Sequence, residues 1–359
     1  VAELCGKGRL VTRQTWTATL SAILFVLLAA VIALVPVPYV TWAPGATHDL
    51  LGQVDGKDAI TITGVPTKHP SGKLRLTTVA VTSPGGVLSL PEALISYWLP
   101  SREVLPRDVV YRPGVSDVDL NSQEAQLMTD SQTTAVVAGL RAARVPVTEM
   151  PMISAVLNSG PANGILKPGD LIEAVDNRHV EDKQKVTDAV RDRNVGDPVT
   201  ITYFRDGQRK HSTIVTRATE AAPKEPIIGV KLATGYSYAP KVTFAVDQNI
   251  GGSSAGLMFS IAIYSMLDEQ DLIAGRDIAG TGTVDAEGRV GAIGGVQEKL
   301  AAAARDQSKV FLMPRANCVD LGAIPDTIAV VAIDNLGDAV SALQGVGDVG
   351  SVGSVTGCS

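Results

Sequence analysis

Two short stretches hold side chains that could work together as nucleophile and base. In the first, a β-branched run from Val242 to Val246 breaks at Gly251-Gly252, and Ser253-Ser254-Ala255-Gly256 leads into an apolar segment with no charge before Asp268. That pattern reads as a strand giving way to a helix buried on all sides. The unpaired N–H groups and positive dipole at a helix start would stabilise an anion formed beside Ser254, with amides near Gly252 and Ser254 as the donors. A serine at this place also serves as a plain helix cap. The second stretch, Gly294 to Arg305, puts Lys299 in the first turns of an Ala- and Leu-rich helix, 45 residues beyond Ser254. A lysine works as a general base only when neutral, which means lowering its pKa from about 10.4 to roughly 7 or 8, worth about 4 kcal/mol. Burial and a helix N-terminus both push that way. Glu298 is about 100° further round the helix and need not pair with it. Seen alone, Lys299 also reads as a solvated surface lysine.

Taken together, these stretches resemble the Ser-Lys dyad of Lon-type proteases. The family's Pro-Ser-Ala-Gly turn matches Ser253-Ser254-Ala255-Gly256 and implies Ser254 as nucleophile. Its Gly-Gly-Leu-Lys-Glu-Lys block matches Gly294 to Lys299 and implies Lys299 as base. Its Thr-Gly-Glu turn falls on Thr281-Gly282-Thr283, eighteen residues before the lysine, and implies that the Thr281 hydroxyl orients Lys299, with Gly252 as a further supporting residue. Two departures stand out: Gly251 replaces an Asp common in the family, and Ser253 replaces the Pro before the nucleophile.

The chain has 359 residues, 45% of them apolar, which gives room for two or three domains. A net charge of −6 supplies no basic surface for nucleic acid. Cys5, Cys318 and Cys358 lack zinc-ligand spacing, and no metal or other cofactor is expected. Cys318 and Cys358 either pair, if the chain is exported, or stay as free thiols.

From Trp16 to Val35 the sequence is almost continuously apolar, and about 20 helical residues span the ~30 Å of bilayer hydrocarbon. Lys7, Arg9 and Arg13 precede this run, so positive-inside logic leaves the N-terminus cytoplasmic and the remainder outside a cytoplasmic membrane as a single-pass protein. Trp16, Tyr39 and Trp42 are placed as interfacial aromatics, and a cleaved signal peptide is the alternative. Strands are expected at 59–63 and 74–81, a short helix at 91–99, and a helix from Asn121, with Glu124 at its capping-box position, to about Ala143.

Residues 146 to 220 interrupt this plan. A strand at Met152 to Leu157, Ser159-Gly160-Pro161-Ala162, Lys167-Pro168-Gly169-Asp170, a polar helix near 182–193 and a strand at 199–204 resemble a bacterial PDZ domain. That resemblance implies an extended peptide lying beside Met152, Ile153, Ser154, Ala155 and Val156. A spacer or oligomer contact is the alternative.

The expected architecture is α+β or mixed α/β: a cytoplasmic segment 1–13, a transmembrane anchor 14–38, a Lon-like proteolytic domain in two parts (41–145 and 225–343) around the PDZ-like domain 146–220, and a disordered tail 344–359. The expected function is a membrane-anchored endopeptidase acting on unfolded or exposed-end proteins. The sequence contains no Gly-x-x-x-x-Gly-Lys-Ser/Thr, so no nucleotide is expected to drive it. Homo-oligomers are possible. A Ser-His-Asp protease is the nearest enzymatic rival, but His48, His69, His179 and His211 all lie outside the catalytic-looking segment. The rival of another class is a non-catalytic peptide-binding scaffold on a degenerate protease fold.

Overall fold

The computed structural model describes residues 13–111, 114–218, 225–246, 250–345 and 352–358. The expected basic N-terminal segment, Arg13 apart, lies outside these residues. The chain opens with α1 (Arg13–Leu34), long and apolar enough to cross a membrane. Then follow β1 (Pro36–Val37), β2 (Tyr39–Asp49), β3 (Ile60–Thr63), β4 (Lys73–Val81), β5 (Leu88–Ser89), α2 (Leu90–Trp98), β6 (Glu103–Pro106) and α3 (Asp117–Ala142). The α3 helix is capped five residues earlier than expected, by Ser116 rather than Asn121, with the Ser116 hydroxyl accepting from the Asp119 N–H.

Next come β7 (Thr148–Val156), β8 (Leu171–Val175), α4 (Lys183–Arg191), β9 (Pro198–Arg205), β10 (Gln208–Val215) and β11 (Val230–Ser237). The last stretch holds β12 (Lys241–Phe244), α5 (Gly256–Leu267), β13 (Asp277–Gly280), α6 (Val296–Arg305), β14 (Val310–Pro314), β15 (Ala329–Ile333), α7 (Leu336–Gln344) and β16 (Val355–Thr356).

The fold is mixed α/β. One seven-stranded sheet runs β16-β15-β14-β13-β4-β2-β6, parallel from β16 through β4 and antiparallel around β2. Strands from before residue 110 and after residue 270 thus share one sheet, with β7 to β11 inserted between them in sequence. Side chains alternate along each strand with a period of two, so one face is not like the other. Val310, Leu312, Ile278 and Val331 pack with α3 and α5, while Phe311, Met313, Ala279 and Val330 pack under α6. The α5 helix carries no charge because it is buried all round, from Leu257 through Ile263.

A second sheet, β10-β9-β8-β7-β11, has its own core of Ile153, Ile172, Val186, Val190, Ile201 and Ile214. Strand β11 belongs here, pairing along β7 from Val230↔Val156 to Ser237↔Thr148. The expected boundary at 225, which put this segment in the other half, is therefore corrected: β7 lacked a neighbour on that side, and the returning chain supplies one.

The tail is corrected as well. Rather than being disordered throughout, it adds β16 parallel to β15, and Cys358 is disulfide-bonded to Cys318 across 40 residues of sequence. Two paired residues give no periodicity to read, so only the partners reveal the strand. Residues 346–351 of that tail lie outside the described ones.

Candidate active site

Lys299 Nζ lies 2.9 Å from Ser254 Oγ and 3.2 Å from Thr281 Oγ1. The three residues come from three elements. Thr281 directly follows β13, the central strand of the seven-stranded sheet, and is fully buried there with its N–H bonded to the Leu312 carbonyl. Ser254 precedes α5, and its carbonyl is held twice, by the Thr281 hydroxyl at 3.1 Å and by the Gly282 N–H at 2.8 Å. The Ser253 carbonyl is held by Ser131 Oγ of α3 at 3.0 Å. The backbone under the candidate nucleophile is thus fixed by two helices and a strand end. A hydroxyl so supported keeps its position when a substrate arrives.

Lys299 is the fourth residue of α6 and only 4% exposed. Burial pushes its pKa down from 10.5 to about 8, with the neighbouring Glu298 carboxylate pushing back. Among the described residues Lys299 has no ion-pair partner, so Glu298 offsets only part of the cost of charging it. Burial raises the Glu298 carboxyl, and Glu103 adds to that rise. The start of α6 is placed by Gly295, whose φ of 68° is left-handed and whose Cβ, if present, would sit 2.6 Å from Val79 Cγ2. Only glycine meets both conditions.

A cleft of about 510 Å³ opens over this pair, lined among others by Trp42, Val79, Glu124, Leu127, Met128 and Ile293. It is apolar enough to take side chains and open enough to admit a chain. Trp42 is a wall of this cleft, with a buried indole N–H that has no partner among the described residues. That corrects its expected place at the membrane interface.

Gly252 lines the same cleft, but its N–H donates to the Glu124 carbonyl at 3.1 Å. It is therefore not an available oxyanion donor as expected. The Ser254 N–H has no acceptor among the described residues. At Gly251 a Cβ would lie 2.7 Å from Glu124 Cβ, so α3 leaves no room for the Asp that the family resemblance would put at this position.

Two family models match. Residues 245–343 match the Lon protease (S16) C-terminal proteolytic domain, and residues 118–216 match the PDZ domain. The chain carries a Lon-type proteolytic domain and a PDZ domain. The Lon protease of Campylobacter jejuni is 40% identical over 92 residues, which is 24% of this chain and 11% of that protein. The Lon protease of Brucella suis is 41% identical over 91 residues, again 24% of this chain and 11% of that one. The matched stretch thus spans about a tenth of the curated relatives' length. The PDZ domain of an SdrC-like protein from Listeria monocytogenes is 27% identical, covering 23% of this chain and 87% of that one at a TM-score of 0.22. Both Ser254 and Lys299 fall inside the Lon-type match.

The PDZ match and the PDZ sheet do not coincide. The match includes α3, which packs on α5 and donates to the Ser253 carbonyl, and it stops before β11. Within the sheet, Met152, Ile153, Ser154, Ala155 and Val156 all lie on β7, which has β8 on one side and β11 on the other. The expected peptide edge is therefore already filled by the chain itself. The outer strand next to α4 is β11, which no sequence pattern had marked. Its signal was present in Ile227-Ile228-Gly229-Val230, an apolar run ending in a strand, but pairing across 74 residues of chain is invisible locally.

Proposed function

We propose that the chain is a membrane-anchored endopeptidase that cleaves unfolded or exposed-end proteins with a Ser254–Lys299 dyad and without ATP. The observation that carries this reading is the 2.9 Å separation of a hydroxyl and a buried lysine amine. Neutral Lys299 takes the Ser254 proton as Oγ attacks the peptide carbonyl carbon. The oxyanion forms near the Ser254 N–H, which has no acceptor among the described residues. The Lys299 ammonium then protonates the leaving amine. Water, deprotonated by the same lysine, releases the acyl group and regenerates Ser254.

Thr281 supports this cycle by accepting from Lys299 while anchoring the Ser254 carbonyl. The PDZ domain would hold a substrate segment as an added strand on β11 against α4. Absence of a Gly-x-x-x-x-Gly-Lys-Ser/Thr run from the sequence supports independence from nucleotide. The α1 span supports an anchor, and the Cys318–Cys358 disulfide supports an oxidising, extracytoplasmic side for the remainder.

The purified chain in lipid nanodiscs, free of nucleotide, is expected to degrade an unfolded protein, and Ser254→Ala and Lys299→Ala are each expected to stop it. Activity that survives either change rejects the dyad. Peptide binding by a wild type that cleaves nothing supports the scaffold reading instead.

A further inference from the structure

The α2 helix is built inside out. Its buried positions, one turn apart, are small: Ala93 is 7% exposed and Ser96 2%. Its large apolar side chains face outward, with Ile95 at 56%, Tyr97 at 73% and Trp98 at 72%, and Leu94 beside them. Val87 and Leu99, just outside the helix at its two ends, are exposed as well. A helix that served only to cover the sheet would turn those side chains inward. Glu92, the single charge in α2, is occupied at the N-terminal capping box with Ser89. This many large apolar side chains exposed on one short helix and its flanks mark a docking face.

Its position says what covers it. The α1 helix ends at Leu34, and two residues later β1 pairs with β5, Pro36↔Ser89 and Val37↔Leu88. Strand β5 runs straight into α2, and α1 touches α2. The exposed patch is thereby pinned beside the C-terminal end of the apolar span. If α1 crosses a bilayer, as the functional reading holds, that end is the water–lipid boundary, where Trp and Tyr concentrate and where a helix with one apolar face beds into the headgroup region.

We propose that α2 lies in the membrane interface, with Val87, Leu94, Ile95, Tyr97, Trp98 and Leu99 seated among the headgroups and upper acyl chains. With α1 it forms a second point of attachment, which fixes how the catalytic sheet is turned relative to the bilayer. Strand β6 follows α2 and pairs with β2, Trp42↔Glu103, so the strand that carries the cleft wall is linked directly to this attachment. The inference rests on α1 being inserted, and the test reads the two separately.

The full chain is reconstituted in phosphatidylcholine vesicles whose acyl chains are plain or brominated. It has three tryptophans, Trp16, Trp42 and Trp98, and the difference between wild type and Trp98→Phe isolates the emission of Trp98. That emission is expected to fall by roughly half in brominated vesicles and to resist aqueous iodide. Tyr97→Trp in the Trp98→Phe background should repeat the result one position away, which guards against an artefact of a single variant. Quenching by iodide with no response to bromine overturns the proposal. Shielding from both, as a second copy of the chain on α2 would give, also overturns it. The emission left in Trp98→Phe comes from Trp16 and Trp42, and Trp42→Phe in that background leaves Trp16 alone to report α1: if bromine quenches Trp16 while Trp98 is unaffected, the anchor stands and the α2 proposal falls, and if bromine quenches neither, both fall.

Discussion

Lys299 Nζ and Thr281 Oγ1 are 3.2 Å apart, and the same threonine hydroxyl donates to the Ser254 carbonyl at 3.1 Å. One side chain therefore touches both partners of the proposed dyad. Thr281→Val keeps the shape but removes the hydroxyl, leaving the lysine with Ser254 Oγ as its one side-chain partner among the described residues and the serine carbonyl with one donor instead of two. Cleavage is expected to fall by about 10–100-fold in kcat with little change in KM, and stability by about 1–2 kcal/mol. Thr281→Ser should restore most of the rate. A mere packing role would leave Thr281→Val close to wild type and Thr281→Ser worse, and steady-state kinetics on the three proteins distinguish the two.

The pH profile follows from Lys299. With its pKa near 8, the lysine is mostly protonated below that pH and cannot act as base. Initial rates should fall by about tenfold per unit as pH drops below 8 and level off above it. Stability moves in a linked way. The folded-state pKa is depressed, so the unfolded chain binds more protons between pH 8 and 10.5, and stability rises across that window. Below pH 8 the buried amine costs the fold up to about 3 kcal/mol. Lys299→Met should therefore be inactive yet raise the unfolding midpoint at pH 7, as calorimetry would show.

Gly295 sets the start of α6 against β4. Gly295→Ala forces a side chain into a left-handed residue and against Val79, for a loss of about 1–3 kcal/mol. Because Lys299 is one turn away, its N–H bonded to the Gly295 carbonyl, activity should fall further than stability alone explains. Comparing rates well below the unfolding temperature checks this.

The disulfide closes a loop of 40 residues and fastens β16 to the turn at Arg315–Asp320. Replacing Cys318 and Cys358 together by Ser should lower stability by up to about 4 kcal/mol, since the unfolded chain regains the freedom of that loop. Denaturant unfolding with and without reductant measures it, and reductant should have no effect on the double variant.

The pairing of Ser254 with Lys299 that the proposed dyad needs was legible in the sequence because its signals are local. Gly-Ser-Ser-Ala-Gly before an uncharged apolar run and Gly-Gly before a helix each announce a helix start, and three short blocks at fixed spacing agree. What failed was pairing. Whether β7 has a free edge depends on β11, far along the chain, and the two residues of β16 make sense only beside β15. Gly252 was misread for a related reason: its N–H is taken by a carbonyl of α3, more than a hundred residues earlier. The start of α3 was misplaced because both Ser116 and Asn121 are cap-forming residues, and the structure uses the first.

The central claim is that Lys299 activates Ser254, and covalent capture tests it most directly. The full chain in nanodiscs is treated with a serine-reactive phosphonate across pH 6 to 9, and the adduct is located by mass spectrometry of the digested protein. The account predicts a single adduct on Ser254, formed at a rate that climbs towards a plateau above pH 8, and none in Lys299→Met. Labelling of Ser254 at equal rates with and without the lysine, or an adduct on another serine, would contradict it.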